Sequence, residues 1–395
     1  MEQEKKRKII LIVLASLGLY LVSTGVSYAL FSHSVSFGNQ TAVTPLPTPP
    51  PGSKFRVDLT KPKTEECLLN GQKFTQQEKD IWLKRRPLAV MIENHLDSRP
   101  QSGLSRADIV YEAVAEGGIT RFMAVFYCGA SALDVQIGPV RSARTYFLDF
   151  ASEYGDYPLY AHVGGANTPG KADALGQIGD YGWLKKGNDL NQFSIGYPTF
   201  WRDYERLDHP VATEHTMYAT TDKLWQVAEK RKLTNTDENG SLWDKNFVRW
   251  QFKDDAPSAE RGKISPNFSF WSGYKDYDVV WQYDQATNDY QRINGGVVQK
   301  DRNDDTPLKA KTIITVFMKE SRANDGYTNN LHLLYADKGS GKAIIFQDGQ
   351  AMVGTWNKKD RKDRMIFKDS KGKEIKLNRG QIWIEILPLG SEVSY

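Results

Sequence analysis

The sequence predicts a layered protein of the α/β or α+β class, in which a sheet-and-helix first region packs against a β-rich second region. Two observations predict this class. In the first region, short apolar runs typical of buried strands alternate with segments that have a helical pattern. In the second region, strand patterns follow one another with only turn residues between them, which is typical of a meander.

The first folded region is expected at residues 55–250, and its elements follow from the spacing of apolar residues. Continuous apolar runs predict buried strands, and a polar cap followed by a mixed run predicts a helix. The predicted strands are Leu88–Ile92, Arg121–Tyr127 and Leu159–Val163, and the predicted helices are Ser142–Tyr154, with Ser142 as its N-cap, and Asp222–Leu233. The segment 108–114 fits either a strand or a helix.

The second folded region is expected at residues 265–395, and every element predicted in it is a strand. The main predicted strands are Val279–Tyr283, Tyr290–Ile293, Ile313–Phe317, Ala343–Phe346, Ala351–Trp356 and Ile382–Ile386. The pair Asp348-Gly349 lies between two of these apolar runs. It indicates a hairpin, because this pair favours a tight two-residue turn.

The N-terminus has the pattern of a membrane anchor. Residues 1–8 carry a basic cluster, and an uncharged apolar run follows from Ile9 to Phe31. A helix of about 23 residues spans roughly 34 Å, which is enough for a bilayer core. Because positive charge stays in the cytoplasm, residues 9–31 are predicted to cross the cell membrane once, with the body outside. A cleaved signal peptide, with Ser27–Ala29 as its small-residue site, is the alternative.

A linker is expected between this anchor and the folded body. Residues 32–54 are rich in proline, which favours extended polyproline conformation. The body is therefore predicted to stand away from the membrane surface. Either interpretation of the apolar run places this body outside the cytoplasm.

Cys67 and Cys128 are the only cysteines in the sequence. Outside the cytoplasm a lone pair of cysteines is often oxidised, so a disulfide between them is predicted. Two separate thiols are the alternative, and two sulfur atoms are too few for a typical zinc site. Neither cysteine lies in or just after the apolar run, so no lipid attachment is predicted there.

Overall charge and motif content argue against several classes of protein. The formal net charge is +4, from 52 basic and 48 acidic residues, so nucleic acid is not an expected partner. The phosphate-binding P-loop, the G-x-S-x-G nucleophile elbow and the H-E-x-x-H zinc motif do not occur in the sequence. Neither a cofactor nor a metal site is predicted.

Ordered motifs in the first region are RPLAVMIEN, RPQSGLSRADIVYE, EGGITRF and IGPVRSAR, and the second region contains GQAMVGTW and GQIWIEI. Taken together, they resemble the YerB-like family of bacterial envelope proteins, which has no established activity. The resemblance covers most of the soluble chain. It implies a layered α/β domain with a β-rich partner domain at the outer face of the cytoplasmic membrane, and a link to the cell wall and its synthesis. Many members resemble lipoproteins, whereas this chain has a helix without an anchoring cysteine.

An anion-binding site is predicted at the start of the helix that Ser142 is expected to cap. Free N–H groups at a helix N-terminus attract anions, and neighbouring arginines bind carboxylates and phosphates. The predicted ligand-binding residues are Arg121, Arg141, Ser142, Arg144, Arg202 and His95. The alternative is a structural network in which these arginines pair with Glu112, Glu116 or Asp149.

A second hypothesis assigns a catalytic role to acidic residues and histidines. Glu112 and Glu116 are four residues apart, so a helix would place both on one face. If His95, His162 and His215 meet at one cleft with Glu93, Glu112 or Glu116, they would form an acid–base set or, as an alternative, a metal site. The acid–base set of Glu112, Glu116, His162 and His215 would cleave a wall polymer. No two of the histidines concerned have helical ligand spacing, so their convergence depends on the fold.

The favoured hypothesis for function is a non-enzymatic envelope protein held to the membrane by its N-terminal helix. Its expected partner is anionic cell-wall polymer or a wall-synthesis protein. The alternative is a hydrolase or lyase acting on wall glycan or peptide. An enzyme needs proton-transfer groups in a cleft, whereas a binding protein needs only an accessible basic surface.

Overall fold

A ten-stranded mixed sheet forms the centre of residues 57–395, the part of the chain that this computed structural model describes. The fold is mixed α+β, with extensive sheets and few, short helices. The helices are α1 (Gln76–Trp82), α2 (Thr145–Ala151), α3 (Ala174–Asp180), α4 (Trp183–Lys186), α5 (Gln192–Ile195) and α6 (Thr221–Lys230). Short 3-10 turns lie between them, among them Leu96–Ser98 and Thr213–His215.

Strands account for most of the regular structure in both predicted regions. The first strands are β1 (Glu65–Glu66), β2 (Lys73–Phe74), β3 (Leu88–Glu93), β4 (Ile109–Glu116), β5 (Ile119–Phe126), β6 (Gln136–Ile137), β7 (Leu159–His162), β8 (Asp189–Asn191), β9 (Phe200–Arg202), β10 (Met217–Thr220) and β11 (Phe252–Lys253). The later strands are β12 (Asn267–Phe268), β13 (Val279–Asp284), β14 (Asp289–Asn294), β15 (Val297–Val298), β16 (Lys309–Ala310), β17 (Thr312–Met318), β18 (Glu320–Arg322), β19 (Leu333–Tyr335), β20 (Gly339–Gln347), β21 (Gln350–Lys358), β22 (Ile366–Lys368), β23 (Leu377–Asn378), β24 (Ile382–Pro388) and β25 (Val393–Ser394).

The central sheet contains strands from both predicted regions, in the order β22-β21-β20-β17-β24-β4-β5-β3-β7-β8. Strand β24 lies parallel to β4, with Ile382 opposite Ile109 and Glu385 opposite Glu112. The continuous apolar runs predicted as buried strands form β3, β5 and β7, and all six residues of β3 are buried. The two regions therefore share one core, while their exact boundaries stay a prediction.

Strand direction places six carboxyl ends at one edge of this sheet. Strands β3, β7 and β8 are parallel to one another, and β4, β24 and β17 are parallel to one another. Strand β5 is antiparallel to both β3 and β4, so the two sets run in the same direction. Loops that follow these six strands consequently meet at one edge, which we call the carboxyl edge.

A second sheet covers part of the first and consists of β15-β14-β13-β12-β25, with β16 also pairing with β14. The rings of Trp281 on β13 and Trp383 on β24 meet edge to face, with 5.0 Å between their centroids. Arg292 on β14 reaches through the interface to Glu112 and Glu385 in the central sheet. An apolar contact and a buried ion pair thus join the two sheets.

The hairpin predicted at Asp348-Gly349 is confirmed. Strands β20 and β21 pair antiparallel as far as Gln347 and Gln350, which leaves two residues in the turn. Both turn residues have positive φ, 54° at Asp348 and 65° at Gly349. A turn of this kind matches the twist of the flanking strands, which explains the residue pair found here.

The predicted disulfide is also confirmed. Cys67 and Cys128 are bonded, with 6.0 Å between their Cα atoms. Both cysteines are completely buried. Beside them, the Asp108 carboxylate accepts hydrogen bonds from the backbone N–H groups of Tyr127, Cys128 and Gly129. The disulfide therefore joins the start of the described body to the loop just after β5. The backbone of that loop is held by the Asp108 carboxylate.

One helix prediction is wrong at its start, and the segment 108–114, whose sequence fits either a strand or a helix, is a strand. The helix predicted from Ser142 begins only at Thr145, and Arg144 is its N-cap residue without a side-chain capping bond. Residues before it are extended, because the Ala143 N–H donates to the Gly164 carbonyl and thereby ties this segment to the loop after β7. The segment with Glu112 and Glu116 is strand β4, with a bulge near its end, and not a helix.

Among residues 57–395, no helix has the length and apolar content needed to cross a bilayer. The predicted cytoplasmic segment 1–8, the transmembrane helix 9–31 and the linker 32–54 lie outside the described residues. The membrane anchor and the alternative of a cleaved signal peptide therefore stay predictions.

Candidate functional site

Charged residues converge at the carboxyl edge of the central sheet. Glu93, Glu116 and His162 are the last residues of β3, β4 and β7. Arg121 lies near the start of the antiparallel strand β5, directly opposite Glu93. Ligands of open α/β sheets bind beyond the carboxyl ends of the strands, so we expect a functional site at this edge.

A loop between β6 and α2 brings further arginines to this edge. The backbone N–H of Glu93 donates to the Pro139 carbonyl at 3.0 Å, and the N–H of Arg141 donates to the Met91 carbonyl at 2.9 Å. The N–H of Val140 donates to a carbonyl of β10. The loop is thereby held between β3 and β10, and Arg141 lies beside the end of β3.

A tight turn places Glu116 at the same edge. Strands β4 and β5 are joined through Gly117 and Gly118, which have φ values of 57° and 82°. A Cβ atom on Gly118 would come within 2.2 Å of the Tyr274 ring, so glycine is needed there for space as well as for conformation. The EGG motif is therefore explained by this turn.

Arg121, Arg141 and Arg144 form what we call the arginine cluster. The Nε–H of Arg141 donates to Glu93 at 2.9 Å, Arg144 pairs with Glu116, and Arg121 donates to the Ser142 carbonyl at 2.9 Å. Arg121 and Arg144 are buried, whereas 26% of the Arg141 side chain is exposed. The cluster is therefore reached from solvent through Arg141.

The three guanidinium groups lie close enough to affect one another's ionisation. Burial, and next the neighbouring charge of Arg144, lower the pKa of Arg121 to about 10, with a smaller contribution from Arg141. Burial opposes ionisation of Glu93, but His215 and Arg141 outweigh it and lower the pKa of Glu93. Among the described residues, the three arginines thus share the two carboxylates of Glu93 and Glu116, which leaves one excess positive charge within the arginine cluster itself.

Part of the hydrogen-bonding capacity of this cluster is unused. Within the described residues, the buried Nε atoms of Arg121 and Arg144 have no hydrogen-bond partner. An unpaired buried donor costs roughly 1–3 kcal/mol. The pairing of Arg144 with Glu116 is one that the structural alternative named from the sequence, while the two unpaired Nε atoms leave the arginine cluster incompletely satisfied.

Two of the histidines lie next to the cluster. His215 Nδ1 is 2.8 Å from Glu93 Oε2, and this hydrogen bond raises the pKa of His215. The His95 ring stacks on that of His215, with 4.6 Å between centroids and 10° between planes. Glu93 is consequently shared by Arg141 and His215. His95 contacts the arginine cluster only indirectly, by stacking on His215.

The remaining predicted ligand-binding residues have other contacts. Ser142 does not cap α2, and it contributes its backbone carbonyl to Arg121. Arg202 donates to the Thr213 carbonyl and lies 3.4 Å from the Thr216 hydroxyl. Arg202 therefore supports the segment that carries His215, outside the arginine cluster itself.

The residues of the catalytic alternative are held by four different partners. Glu112 is completely buried and pairs with Arg292, and Glu116 pairs with Arg144. His162 is completely buried and is 2.6 Å from Asp189, and His215 pairs with Glu93. Because each side chain has its own partner, the geometry does not favour a shared acid–base set.

Sequence reasoning missed the buried network around Arg292. Its guanidinium contacts Glu112, Glu385 and, at 2.7 Å, the side-chain oxygen of Gln299. Strand β14 alternates between half-buried and buried residues, and Arg292 falls on the buried face with Tyr290. The sequence carries no signal for this face, because its buried positions are Tyr290, Arg292 and Asn294 while the apolar Ile293 lies on the other face, and a buried arginine is rarely expected.

The fold and the carboxyl edge define a class: a two-region α+β protein in which the second region completes the sheet of the first. The chain belongs to the family described as protein of unknown function (DUF3048). The N-terminal domain model of that family matches residues 71–234, and the C-terminal domain model matches residues 267–384. The resemblance to YerB-like proteins found in the sequence is thereby confirmed.

Two comparisons with YerB of Bacillus subtilis, one of sequence and one of structure, support this assignment. The protein YerB of Bacillus subtilis (strain 168), whose name describes it as a candidate lipoprotein, is 30% identical over 343 residues. The match covers 86% of this chain and 88% of that protein. The crystal structure of the YerB protein from Bacillus subtilis superimposes with a TM-score of 0.66 at 26% identity, covering 84% of this chain and 100% of that chain.

Proposed function

We propose that this chain is a membrane-held envelope protein that binds anionic cell-wall material through the arginine cluster, without catalysing a reaction. Three features support an extracytoplasmic position. The sequence begins with a basic segment and a long apolar run, the related YerB is named as a candidate lipoprotein, and Cys67 and Cys128 form a disulfide. Disulfides persist mainly in oxidising compartments outside the cytoplasm.

The single observation that carries the proposed binding role is the imbalance of charge at the carboxyl edge. In the part of the chain that the structure describes, the ion pairs of the arginine cluster are Arg141 with Glu93 and Arg144 with Glu116, and the Nε–H groups of Arg121 and Arg144 have no partner. A bound anion would balance the charge. It would also increase the hydrogen bonding of the cluster, provided that the edge opens slightly around Arg141.

Phosphate and carboxylate groups are the ligands that this chemistry fits. A guanidinium group presents a planar fork of N–H donors that matches both anions. Wall polymers carry such groups at regular intervals, so one polymer offers the single arginine cluster many equivalent positions to bind. A wall-synthesis protein with an acidic segment is the other expected partner and would contact the same arginines.

Co-sedimentation with isolated peptidoglycan sacculi tests the proposal. The full-length chain in mild detergent is mixed with sacculi that retain their anionic polymers and with sacculi from which these have been removed. We expect binding to the first and much weaker binding to the second. Arg141→Gln should weaken binding roughly 10- to 100-fold, because a hydrogen bond to a charged group contributes about 1.5–3 kcal/mol.

Two further variants make this test specific. Arg141→Lys keeps the charge but loses the planar fork, so it should bind with intermediate affinity. Arg249→Gln is the matched control, because Arg249 is a half-exposed arginine that pairs with Glu66. Equal binding of the wild type and Arg141→Gln, with folding checked by circular dichroism, would contradict the proposed site.

A further inference from the structure

A second cluster of side chains lies beside the arginine cluster and is not needed for anion binding. His95 precedes the 3-10 turn Leu96–Ser98, Asp97 lies within that turn, and His215 ends the 3-10 turn Thr213–His215. One nitrogen from each histidine and one carboxylate oxygen of Asp97 lie within 4.8 Å of one another. Imidazole and carboxylate groups in this arrangement are typical ligands of a divalent transition metal.

The distances are close to those of a metal site. Asp97 Oδ2 is 3.7 Å from His95 Nδ1 and 3.9 Å from His215 Nε2. Around a tetrahedral zinc ion, bonds of about 2.0–2.2 Å separate ligand atoms by roughly 3.3–3.5 Å. Asp97 therefore has to approach the two histidines by about half an ångström, and it has room to move because half of its side chain is exposed. The His95 ring must also turn out of its nearly parallel stacking on His215, because stacked rings cannot both direct an in-plane lone pair at one ion.

The hydrogen bonding of His215 prepares one of the ligands. Its Nδ1 is 2.8 Å from Glu93, so in the neutral tautomer that donates Nδ1–H to this carboxylate, Nε2 carries the lone pair and lies 3.9 Å from Asp97 Oδ2. Metal-binding histidines generally donate their second ring N–H to a carboxylate, which fixes the ring orientation. Glu93 is itself held by Arg141, so this supporting carboxylate is firmly positioned.

The second histidine ligand, His95, is free to change its ring orientation. Its Nδ1 accepts a hydrogen bond of 3.2 Å from the backbone N–H of Asp97, which is at the long end of the usual range. The His95 side chain is about one-third exposed, at 32%, so the ring can turn towards a metal. Only His215 of the three ligands is buried, and it is also the one already oriented.

We propose that His95, Asp97 and His215 bind a single divalent transition-metal ion of the Zn²⁺ type, with Glu93 orienting His215 from behind. Three protein ligands leave a fourth coordination position for water or for an incoming anion. Hard ions such as Mg²⁺ and Ca²⁺ prefer oxygen ligands, so two imidazoles disfavour them. This site is separate from the proposed binding of wall material, and its test does not depend on that proposal.

Titration of the metal-stripped, full-length chain with Co²⁺ tests the site, because Co²⁺ replaces Zn²⁺ and absorbs visible light when four ligands surround it. We expect one equivalent to bind with a visible absorption spectrum, and Zn²⁺ to displace it. His95→Ala and Asp97→Asn should each abolish this spectrum. His209→Ala is the matched control, because His209 is an exposed histidine that pairs with Asp208.

A variant of the supporting carboxylate extends the test. Glu93→Gln should keep the one-to-one stoichiometry but weaken the affinity about 10- to 100-fold, as is usual for partners of ligating histidines. His95→Ala keeps the test decisive if the buried Glu93 variant fails to fold. The proposal is overturned if the wild type binds no Co²⁺, or if His95→Ala and Asp97→Asn bind it as the wild type does. The proposal is also overturned if His209→Ala loses the spectrum while His95→Ala and Asp97→Asn keep it.

Discussion

Replacing Arg292 by methionine should strongly destabilise the folded body, because it removes the cation between two buried carboxylates. Arg292, Glu112 and Glu385 are all completely buried. Burial, followed by the nearby charge of Glu112, raises the pKa of Glu385 well above its ordinary value. We therefore expect Glu385 to hold a proton, and Arg292 to balance one negative charge in the native protein.

The magnitude follows from the loss of one partner of a buried ion pair. Such a change costs roughly 3–5 kcal/mol, because the remaining charge stays buried without compensation. The rings of Trp281 and Trp383, whose centroids lie 5.2 and 4.7 Å from the guanidinium carbon of Arg292, enclose the site and exclude water from it. Methionine fills a similar volume, so the effect reports mainly on charge.

Urea unfolding of the full-length chain, followed by tryptophan fluorescence, measures this change in the free energy of unfolding. The matched control is the double variant Arg292→Met with Glu112→Gln, which removes both charges and should recover at least half of the lost stability. A loss of less than about 1 kcal/mol in Arg292→Met would refute the reasoning. Two separate transitions in the wild type would contradict a core shared by both regions.

Three further outcomes are expected. Burial opposes ionisation of Asp348, but hydrogen bonds led by Lys253 lower its pKa to about 2, so Asp348 stabilises the protein above pH 4. This contribution, about 1–2 kcal/mol after allowance for solvent screening, should disappear as the pH falls from 4 to 2, and Asp348→Asn should remove that acid dependence in urea titrations. Gly349→Ala should destabilise the hairpin by more than about 1 kcal/mol, measured by thermal unfolding, because φ is 65° and the added Cβ would lie 2.4 Å from a tyrosine ring. Reduction of Cys67–Cys128, which are 61 residues apart, should cost roughly 4 kcal/mol in the same assay, and an unchanged midpoint would contradict this.

The strands of the first region could be predicted because their signal is local. Continuous apolar runs identified β3, β5 and β7, and a single pair of cysteines identified the disulfide. The insertion of β24 between β17 and β4 could not be predicted, because an apolar run does not encode its partner across more than 250 residues of chain. Mixed sheets of this kind depend on long-range pairing that only the folded chain reveals.

The start of α2 shows why local rules fail at the carboxyl edge of the sheet. Ser142 is a good capping residue, but its segment is extended because Ala143 hydrogen bonds to the loop after β7. Tertiary contacts therefore override the local capping preference. The position of Arg144 beside Glu116 is a consequence of this shift, and helix propensity gave no indication of it.

The candidate site was predicted in part. Arg121, Arg141 and Arg144 do meet, since the motifs that contain them follow or precede strands of one sheet. The role of Glu93 as partner of both Arg141 and His215 depends on two loops that are distant in sequence. Asp97 was missed, because a single aspartate in a polar segment is usually solvated.

The most direct measurement is nuclear magnetic resonance of arginine side-chain Nε–H groups in the full-length chain during titration with inorganic phosphate. We predict that the resonances of Arg121, Arg141 and Arg144 shift together with one apparent dissociation constant. The Nε–H of Arg292, which is buried and bonded to Gln299, should not move. Unchanged resonances for the arginine cluster, or equal shifts for every exposed arginine, would contradict anion recognition at the carboxyl edge.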